Sequence, residues 1–142
     1  MISNQERLYS DVNTCFSLFQ KELEHKGVWD NTVLIQVSDF ARTNGPNANA
    51  GTDHAWGGNY IVTGGSVKGG QIVGDYPHLK AGSPLEIGRG RMIPTTPWEA
   101  PFAAIAGWLG IEDDVDRKYI LPNIDNFDRE ENLFETDELF DP

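Results

Sequence analysis

The fold of this 142-residue chain is decided by one apolar run, Val33-Leu34-Ile35-Gln36-Val37-Ser38-Asp39-Phe40. The run is short and rich in β-branched residues, which favours a buried strand over a helix. It leads directly into a carboxylate, so Asp39 is expected at the carboxyl end of the strand, where α/β sheets hold their ligand crevices. The run therefore predicts both a strand and the edge of a site.

An amphipathic helix is predicted before this strand, over residues 4–26, because apolar side chains recur there at spacings of three and four. These side chains are Leu8, Val12, Cys15, Phe16, Phe19 and Leu23. Ser3 and Glu6 match a capping-box start, and Gly27 stands where a helix C-cap glycine belongs. Cys15 is the only cysteine, so it cannot form an internal disulfide, and its place on the apolar face predicts core packing.

The middle of the chain is predicted to be mostly loop, because residues 45–90 contain twelve of the 15 glycines. Two short strands are expected there, Tyr60–Thr63 and Gln71–Val73, joined by a glycine-rich turn. A second helix is predicted to open at Pro97 and to end at Gly110. These elements predict an α/β fold in which helices pack on a small mixed sheet.

The net charge of −11 is unevenly distributed, since twelve of the 22 acidic residues lie within residues 112–142. We expect a single α/β domain over residues 1–127, followed by a solvated and partly mobile acidic tail over residues 128–142. The negative field disfavours nucleic acid as a partner. No run of about 18 apolar residues and no signal-peptide pattern is found, so neither membrane spanning nor targeting is predicted.

A candidate site is indicated by the segment Gly51-Thr52-Asp53-His54-Ala55-Trp56-Gly57-Gly58. Asp39, Asp53 and His54 carry the oxygen and imidazole donors that divalent metals take, and the flanking glycines allow close approach of the backbone to a ligand. The alternative is structural: Asp53 caps its loop, His54 is a satisfied buried histidine, and Arg42 forms an ion pair with Asp39. Both interpretations stay open at this point.

The chemistry that such a site favours is attack on an anionic ester. A divalent metal, which we expect to be zinc, manganese, iron or calcium, polarises a phosphoryl or sulfuryl oxygen and lowers the pKa of bound water. Arg42 lies three residues after Asp39 and is suited to bind an oxyanion through its planar guanidinium. Arg89-Gly90-Arg91 forms a second basic patch, which is either a solvated loop or an anion clamp.

Five segments of the chain, over roughly residues 5–127, resemble the C-terminal part of a large bacterial domain-of-unknown-function family, number 1501 in its series. They are Gly27-Val28-Trp29-Asp30-Asn31-Thr32, Ser38-Asp39-Phe40-Ala41-Arg42-Thr43, Gly51-Thr52-Asp53-His54-Ala55-Trp56-Gly57, Gly64-Gly65-Ser66-Val67-Lys68-Gly69-Gly70 and Gly88-Arg89-Gly90-Arg91. Their shared order and spacing make the resemblance specific. It implies a fold similar to the C-terminal portion of an alkaline phosphatase or sulfatase, and an exported, periplasmic origin.

The chain departs from this family pattern at two positions and in length. Asp39 and Ala41 stand where the family usually has glutamate and glycine, and Phe40 occupies the position of a metal-binding histidine in the wider superfamily. The resemblance implies that Asp39 and His54 match metal ligands. It also implies an N-terminal half carrying the nucleophile and further ligands, which is not present here, so the chain is expected to be a fragment or to pair with another chain.

Two functions follow as competing expectations. The first is part of a metal-dependent phosphate or sulfate ester hydrolase: Asp39, Asp53 and His54 are metal ligands, or Asp53 orients His54, and Arg42 contacts the anionic group of the substrate. The second is a non-catalytic binding or assembly module in which Trp56, Trp98 and Trp108 pack against a partner. Because half a sheet exposes an unpaired edge, self-association is also expected.

Overall fold

The computed structural model describes the backbone of residues 2–80 and 82–142, and side chains from residue 4 onward within those ranges. The helices are α1 (Ile2–His25), α2 (Glu99–Trp108), α3 (Asp114–Ile120), α4 (Arg129–Asn132) and α5 (Thr136–Leu139). The strands are β1 (Val33–Gln36), β2 (Ala41–Arg42), β3 (His54–Ala55) and β4 (Ile61–Gly64), and 3₁₀ turns cover Trp29–Asn31 and Ile124–Asn126. The predicted α/β class is confirmed.

The strands form two antiparallel pairs rather than one mixed sheet. β1 pairs with β4, so that Val33 lies opposite Gly64 and Ile35 opposite Val62, and β2 pairs with β3. The predicted strands at residues 33–37 and 60–63 are therefore confirmed. The strand expected at Gln71–Val73 is wrong, because that segment has no strand structure and β4 takes β1 as its partner instead.

Both long helices end at the glycines that the sequence indicated. Gly27 has a positive φ of 69°, its N–H donates to the carbonyl of Glu24, and the N–H of Val28 donates to the carbonyl of Leu23. This is the Schellman arrangement, which requires a left-handed residue and so favours glycine. Gly110, with φ 80°, ends α2 in the same way.

The start and the packing of α1 differ from the prediction. The helix already includes Ser3, so Ser3 is not its N-cap, and the side chain of Ser3 lies outside the described residues. The predicted core position of Cys15 is wrong, because the thiol is exposed, as are Leu8, Val12 and Phe19 on the same helix. The apolar periodicity predicted the helix correctly, but no other described element covers most of that face.

The core lies instead between α2 and the C-terminal segment. Ala100 and Ala103 of α2 pack with Ile124 and Leu133, and Ala104 packs with Leu139 and Phe140. Phe140 is only 2% exposed. The alanines bring the helix backbone close to its neighbours, which lets the large side chains of the later segment fill the remaining space.

The acidic end of the chain is therefore not simply a solvated extension. Val67 and Phe140 form an antiparallel bridge, and the backbone N–H of Asp141 donates to the carbonyl of Ser66. The charged residues face outward while Leu133, Leu139 and Phe140 are buried. The expectation of a solvated tail is wrong for these residues, whereas the domain boundary at residue 127 stays a prediction. In the described part of the chain, no helix combines the length and apolar character needed to cross a membrane.

Candidate functional site

The candidate site lies on the short antiparallel pair of strands β2 and β3, each of which has two residues. In the β2–β3 pair, Arg42 lies directly opposite His54, and Ala41 lies opposite Ala55. Cross-strand neighbours have their Cβ atoms about 4.5–5.5 Å apart, so the guanidinium and the imidazole belong to one local surface. Sequence periodicity could not predict strands of two residues, and this pairing was missed.

Two glycines after His54 allow this pair to approach its neighbours. A Cβ added to Gly58 would lie 2.9 Å from the Cβ of Ala41. The N–H of Gly57 donates to the carbonyl oxygen of Met92 at 2.9 Å, and an added Cβ would lie 2.9 Å from the same oxygen. Larger residues here would push β2 or the Met92 segment away, so both positions need glycine for close packing.

The loop between β2 and β3 is closed by hydrogen bonds that converge on Asp53. Thr43 is buried, its N–H donates to the carbonyl of Asp53, and its hydroxyl oxygen accepts the N–H of Asp53 at 3.1 Å. Asn47 donates from Nδ2 to Oδ1 of Asp53 at 2.9 Å, while its own Oδ1 accepts the N–H of Gly51. These bonds fix the position of Asp53 beside His54.

A second loop reaches Asp53 from the far side. Nη2 of Arg89 donates to Oδ2 of Asp53 at 2.7 Å, so both carboxylate oxygens of Asp53 are engaged. Arg89 has a positive φ of 59°, a conformation that costs free energy for a residue with a side chain. Residues held in such conformations concentrate at ligand clamps and active sites.

The conformation of Arg89 is held by its neighbours. Glu86 accepts the backbone N–H groups of Gly82 and Gly90, each at 2.8 Å, and the carbonyl of Gly90 accepts the N–H of Asn44. The two backbone donors, that of Gly82 first, lower the pKa of the Glu86 carboxyl below its usual value, because they stabilise the carboxylate form. Glu86 is thus ionised at neutral pH and secures the turn that presents Arg89.

Phe40 forms an aromatic platform for His54. Their ring centroids are 4.0 Å apart with the planes inclined by 28°, and Cζ of Arg42 lies 5.1 Å from the centroid of the Phe40 ring. Nη1 of Arg42 also donates to the carbonyl oxygen of Thr52 at 3.2 Å. The Phe40 ring therefore orients both the imidazole of His54 and the guanidinium of Arg42 by stacking.

The structure brings together Arg42, Asp53 and His54 and adds Arg89 to them. His54 is exposed, so the alternative of a satisfied buried histidine is wrong. Asp39 is exposed beside Phe40 in the chain, and among the described residues no ion pair joins it to Arg42. Asp53 does close its loop, as the structural alternative expected, and it does so through Asn47 and Thr43.

The donors present fit only part of a metal site. Asp39 and His54 offer a carboxylate and an imidazole of the kind that divalent metals bind. Asp53 does not fit in this arrangement, because Asn47 and Arg89 take both of its oxygens. Within residues 4–80 and 82–142, no three His, Cys, Asp or Glu side chains are grouped so that they could hold an ion.

Two contributors were not assigned from the sequence. The contact of Arg89 with Asp53 spans 36 positions, so only the basic patch at residues 89–91 hinted at it. Asn47 lies in a loop of Asn, Gly and Ala, a composition typical of turns. From the sequence alone, nothing showed that Asn47, rather than another asparagine of this loop, would form hydrogen bonds with Gly51 and Asp53.

Fold and site together define an α/β protein with an exposed cluster of arginine, histidine and aspartate on paired loops. The chain belongs to the family described as Protein of unknown function (DUF1501), whose family model matches residues 1–86. The match includes Asp39, Arg42, Asp53 and His54 and ends before Arg89. Comparisons with curated proteins and with solved structures gave no match.

Proposed function

We propose that this chain contributes part of the active site of a phosphate or sulfate ester hydrolase that resembles the alkaline phosphatase and sulfatase superfamily. Asp39 and His54 would supply metal ligands, and Arg42 would bind the anionic group of the ester. The observation that carries the proposal is the cross-strand pairing of Arg42 with His54. A cation suited to oxyanions lies there beside an exposed imidazole, and this combination suits the binding of an anionic ester next to a metal ligand.

The charge distribution supports the choice of an anionic substrate. The protein has a net charge of −11, yet Arg42 and Arg89 are both exposed and donate to the adjacent residues Thr52 and Asp53. On a surface that is otherwise mostly acidic, guanidinium groups are the places where an anion is attracted rather than repelled. Guanidinium groups also match the geometry of phosphate and sulfate oxygens.

The exposed apolar surface supports the idea that the rest of the hydrolase fold covers this chain. Leu8, Val12 and Phe19 of α1 are exposed, and β1 pairs on one edge only with β4 among the described strands. The helix α1 has a free apolar face, and the strand β1 that follows it has a free edge. This arrangement is typical of a helix–strand unit that belongs to a larger sheet. We therefore propose the N-terminal half of such a fold as the occupant of this surface, in the same polypeptide or in a partner chain.

Metal titration tests the proposed ligands. The probes are Zn²⁺, Mn²⁺, Fe²⁺ and Ca²⁺, added singly to the purified chain and followed by two-dimensional NMR. We expect saturable shifts around residues 39 and 54 with at least one metal, lost in His54→Ala and in Asp39→Ala. His78→Ala serves as the control, because His78 is also exposed. If no metal binds near residues 39 and 54, the ligand assignment is wrong.

The second candidate is a non-catalytic assembly module, and the exposure of Trp56 favours it. Trp56 is 63% exposed, whereas tryptophan is usually well buried, and tryptophan is enriched among the residues that dominate binding at interfaces. Light scattering distinguishes the two candidates: a stable metal-free homodimer would support the module. A monomer at high concentration together with metal binding at Asp39 and His54 would support the hydrolase part and count against self-association.

A further inference from the structure

We infer that Arg89 is a second anion-binding group, which exchanges its ion pair with Asp53 for a tetrahedral dianion such as phosphate or sulfate. The inference rests on the proposed function, because it adds a residue to the same anion-binding surface. It starts from the geometry: Arg42 donates to the carbonyl of Thr52, and Arg89 donates to the carboxylate of the next residue, Asp53. Two guanidinium groups from distant parts of the chain thus meet at one dipeptide.

Exposure makes this exchange feasible. The side chain of Arg89 is 73% exposed and that of Asp53 is 43% exposed. Ion pairs in such positions contribute little to folding stability, because water competes for both groups. A dianion carries twice the charge of a carboxylate and offers several oxygens to the guanidinium, so it can compete with Asp53 for Arg89. Asp53 therefore acts as an internal placeholder that keeps Arg89 in position until an anion binds.

The backbone around Arg89 supports a ligand-binding role. Its φ of 59° is unfavourable for arginine, whereas Gly88 and Gly90 on either side also have positive φ values without that cost. Glu86 accepts hydrogen bonds from Gly82 and Gly90 and holds the turn in place. A fixed backbone that carries a largely exposed guanidinium, held in position by Asp53, is the arrangement that a preorganised anion clamp needs.

Arg91 provides a matched comparison two residues away. Its guanidinium donates to the backbone carbonyls of Gly88 and Ile87, which it would have to release in order to bind an anion. It makes no described contact with the Asp53–His54 loop. Arg91 thus has the same charge as Arg89, is also exposed and lies in the same loop. It differs in that its guanidinium contacts the backbone of its own loop rather than Asp53.

Sulfate titration of the metal-free chain tests the inference. Sodium sulfate is compared with sodium chloride at equal ionic strength, and two-dimensional NMR follows residues 52–54 and 88–90. We expect saturable binding of sulfate that Arg89→Ala weakens at least tenfold and Arg91→Ala changes by less than twofold. Asp53→Asn should strengthen binding about threefold or more, because it removes the competing carboxylate. Arg89→Lys should give an intermediate affinity, since it keeps the charge and loses the planar fork.

Two results would overturn the inference. One is a sulfate response no larger than that of chloride, and the other is equal sulfate affinity in the unmodified chain and in Arg89→Ala. Circular dichroism of each variant verifies folding, and Arg89→Lys keeps the test valid if Asp53→Asn disturbs the loop. No metal and no turnover are involved. Failure of this test therefore leaves the metal-ligand assignment of Asp39 and His54 standing, and failure of that assignment leaves the Arg89 result standing.

Discussion

The rings of Trp108 and Phe140 stack with their centroids 5.0 Å apart and their planes inclined by 12°. Trp108 is the last residue of α2, and Phe140 lies two residues from the end of the chain. This contact joins the acidic C-terminal segment to the main helix of the core. The segment is therefore a structural part of the fold, although most of its residues are charged.

Phe140→Ala is expected to lower the free energy of unfolding by about 3–5 kcal/mol, because it empties a fully buried aromatic position. That is a large share of the roughly 5–15 kcal/mol that stabilises a typical domain. Urea denaturation, followed by tryptophan fluorescence, measures the loss. Tyr119→Ala is the control, since Tyr119 is 87% exposed and its removal should change stability by less than about 0.5 kcal/mol. Equal midpoints for the two variants would contradict the packing of the C-terminal segment.

Gly64→Ala is expected to disrupt the β1–β4 pair. Gly64 lies opposite Val33, and a Cβ at this position would collide with the carbonyl oxygen of Thr32. Backbone atoms cannot rotate away, so we expect a loss of about 1–3 kcal/mol in the free energy of unfolding, measured by urea denaturation. Gly69→Ala is the matched control, because an added Cβ there meets no atom within 4 Å. A loss at position 69 as large as at position 64 would refute the explanation by collision.

Acidification is expected to loosen the turn that presents Arg89. The pKa of Glu86 is lowered in the folded state, so its contribution to stability is complete above the pKa of the unfolded state and is lost as the pH falls through the lower folded value. Glu86→Gln cannot titrate, and its stability should fall less between pH 6 and pH 3 than that of the unmodified chain. Parallel pH profiles from urea denaturation would contradict this role.

Cys15 is expected to react with a thiol reagent in the native protein at nearly the rate of the unfolded protein, because the thiol is exposed on α1. The measurement is alkylation by iodoacetamide, with and without urea, followed by mass spectrometry. Phe19 is also exposed on this helix, so Phe19→Glu tests whether another surface packs on the apolar face of α1: the added charge would disrupt such a contact. Protection in the unmodified chain that disappears in Phe19→Glu would indicate that another surface covers this helix, and would contradict simple exposure.

Local sequence signals predicted the elements that depend on neighbouring residues. The spacing of Leu8, Val12 and Leu23 predicted α1, and Gly27 predicted where it ends, because a left-handed residue must follow the last turn. The β-branched run at Val33 predicted β1. The pairing of strands could not be predicted in the same way. Residues 71–73 were expected to form a strand, but they do not, and β4 pairs with β1 instead. The local sequence around residues 71–73 contains no information on which strand pairs with which.

In the candidate site, too, the residue types could be predicted from the sequence, but their long-range contacts could not. The sequence could single out Asp39, Arg42, Asp53 and His54 as candidates, since their types and spacing are visible along the chain. Their arrangement was not visible. That Arg42 pairs with His54 and that Arg89 holds Asp53 depends on contacts across ten or more positions.

The α/β class, the ends of the two long helices, the strand at Val33 and the family can all be read from the amino-acid sequence. These properties follow from periodicity, capping and motifs, which act over a few residues. Three further properties depend on tertiary packing: the helix face with Cys15 is exposed, Phe140 is buried, and Arg89 and Asn47 bind the carboxylate of Asp53. An apolar pattern indicates which residues favour burial, but whether a surface is covered depends on the elements that pack against it.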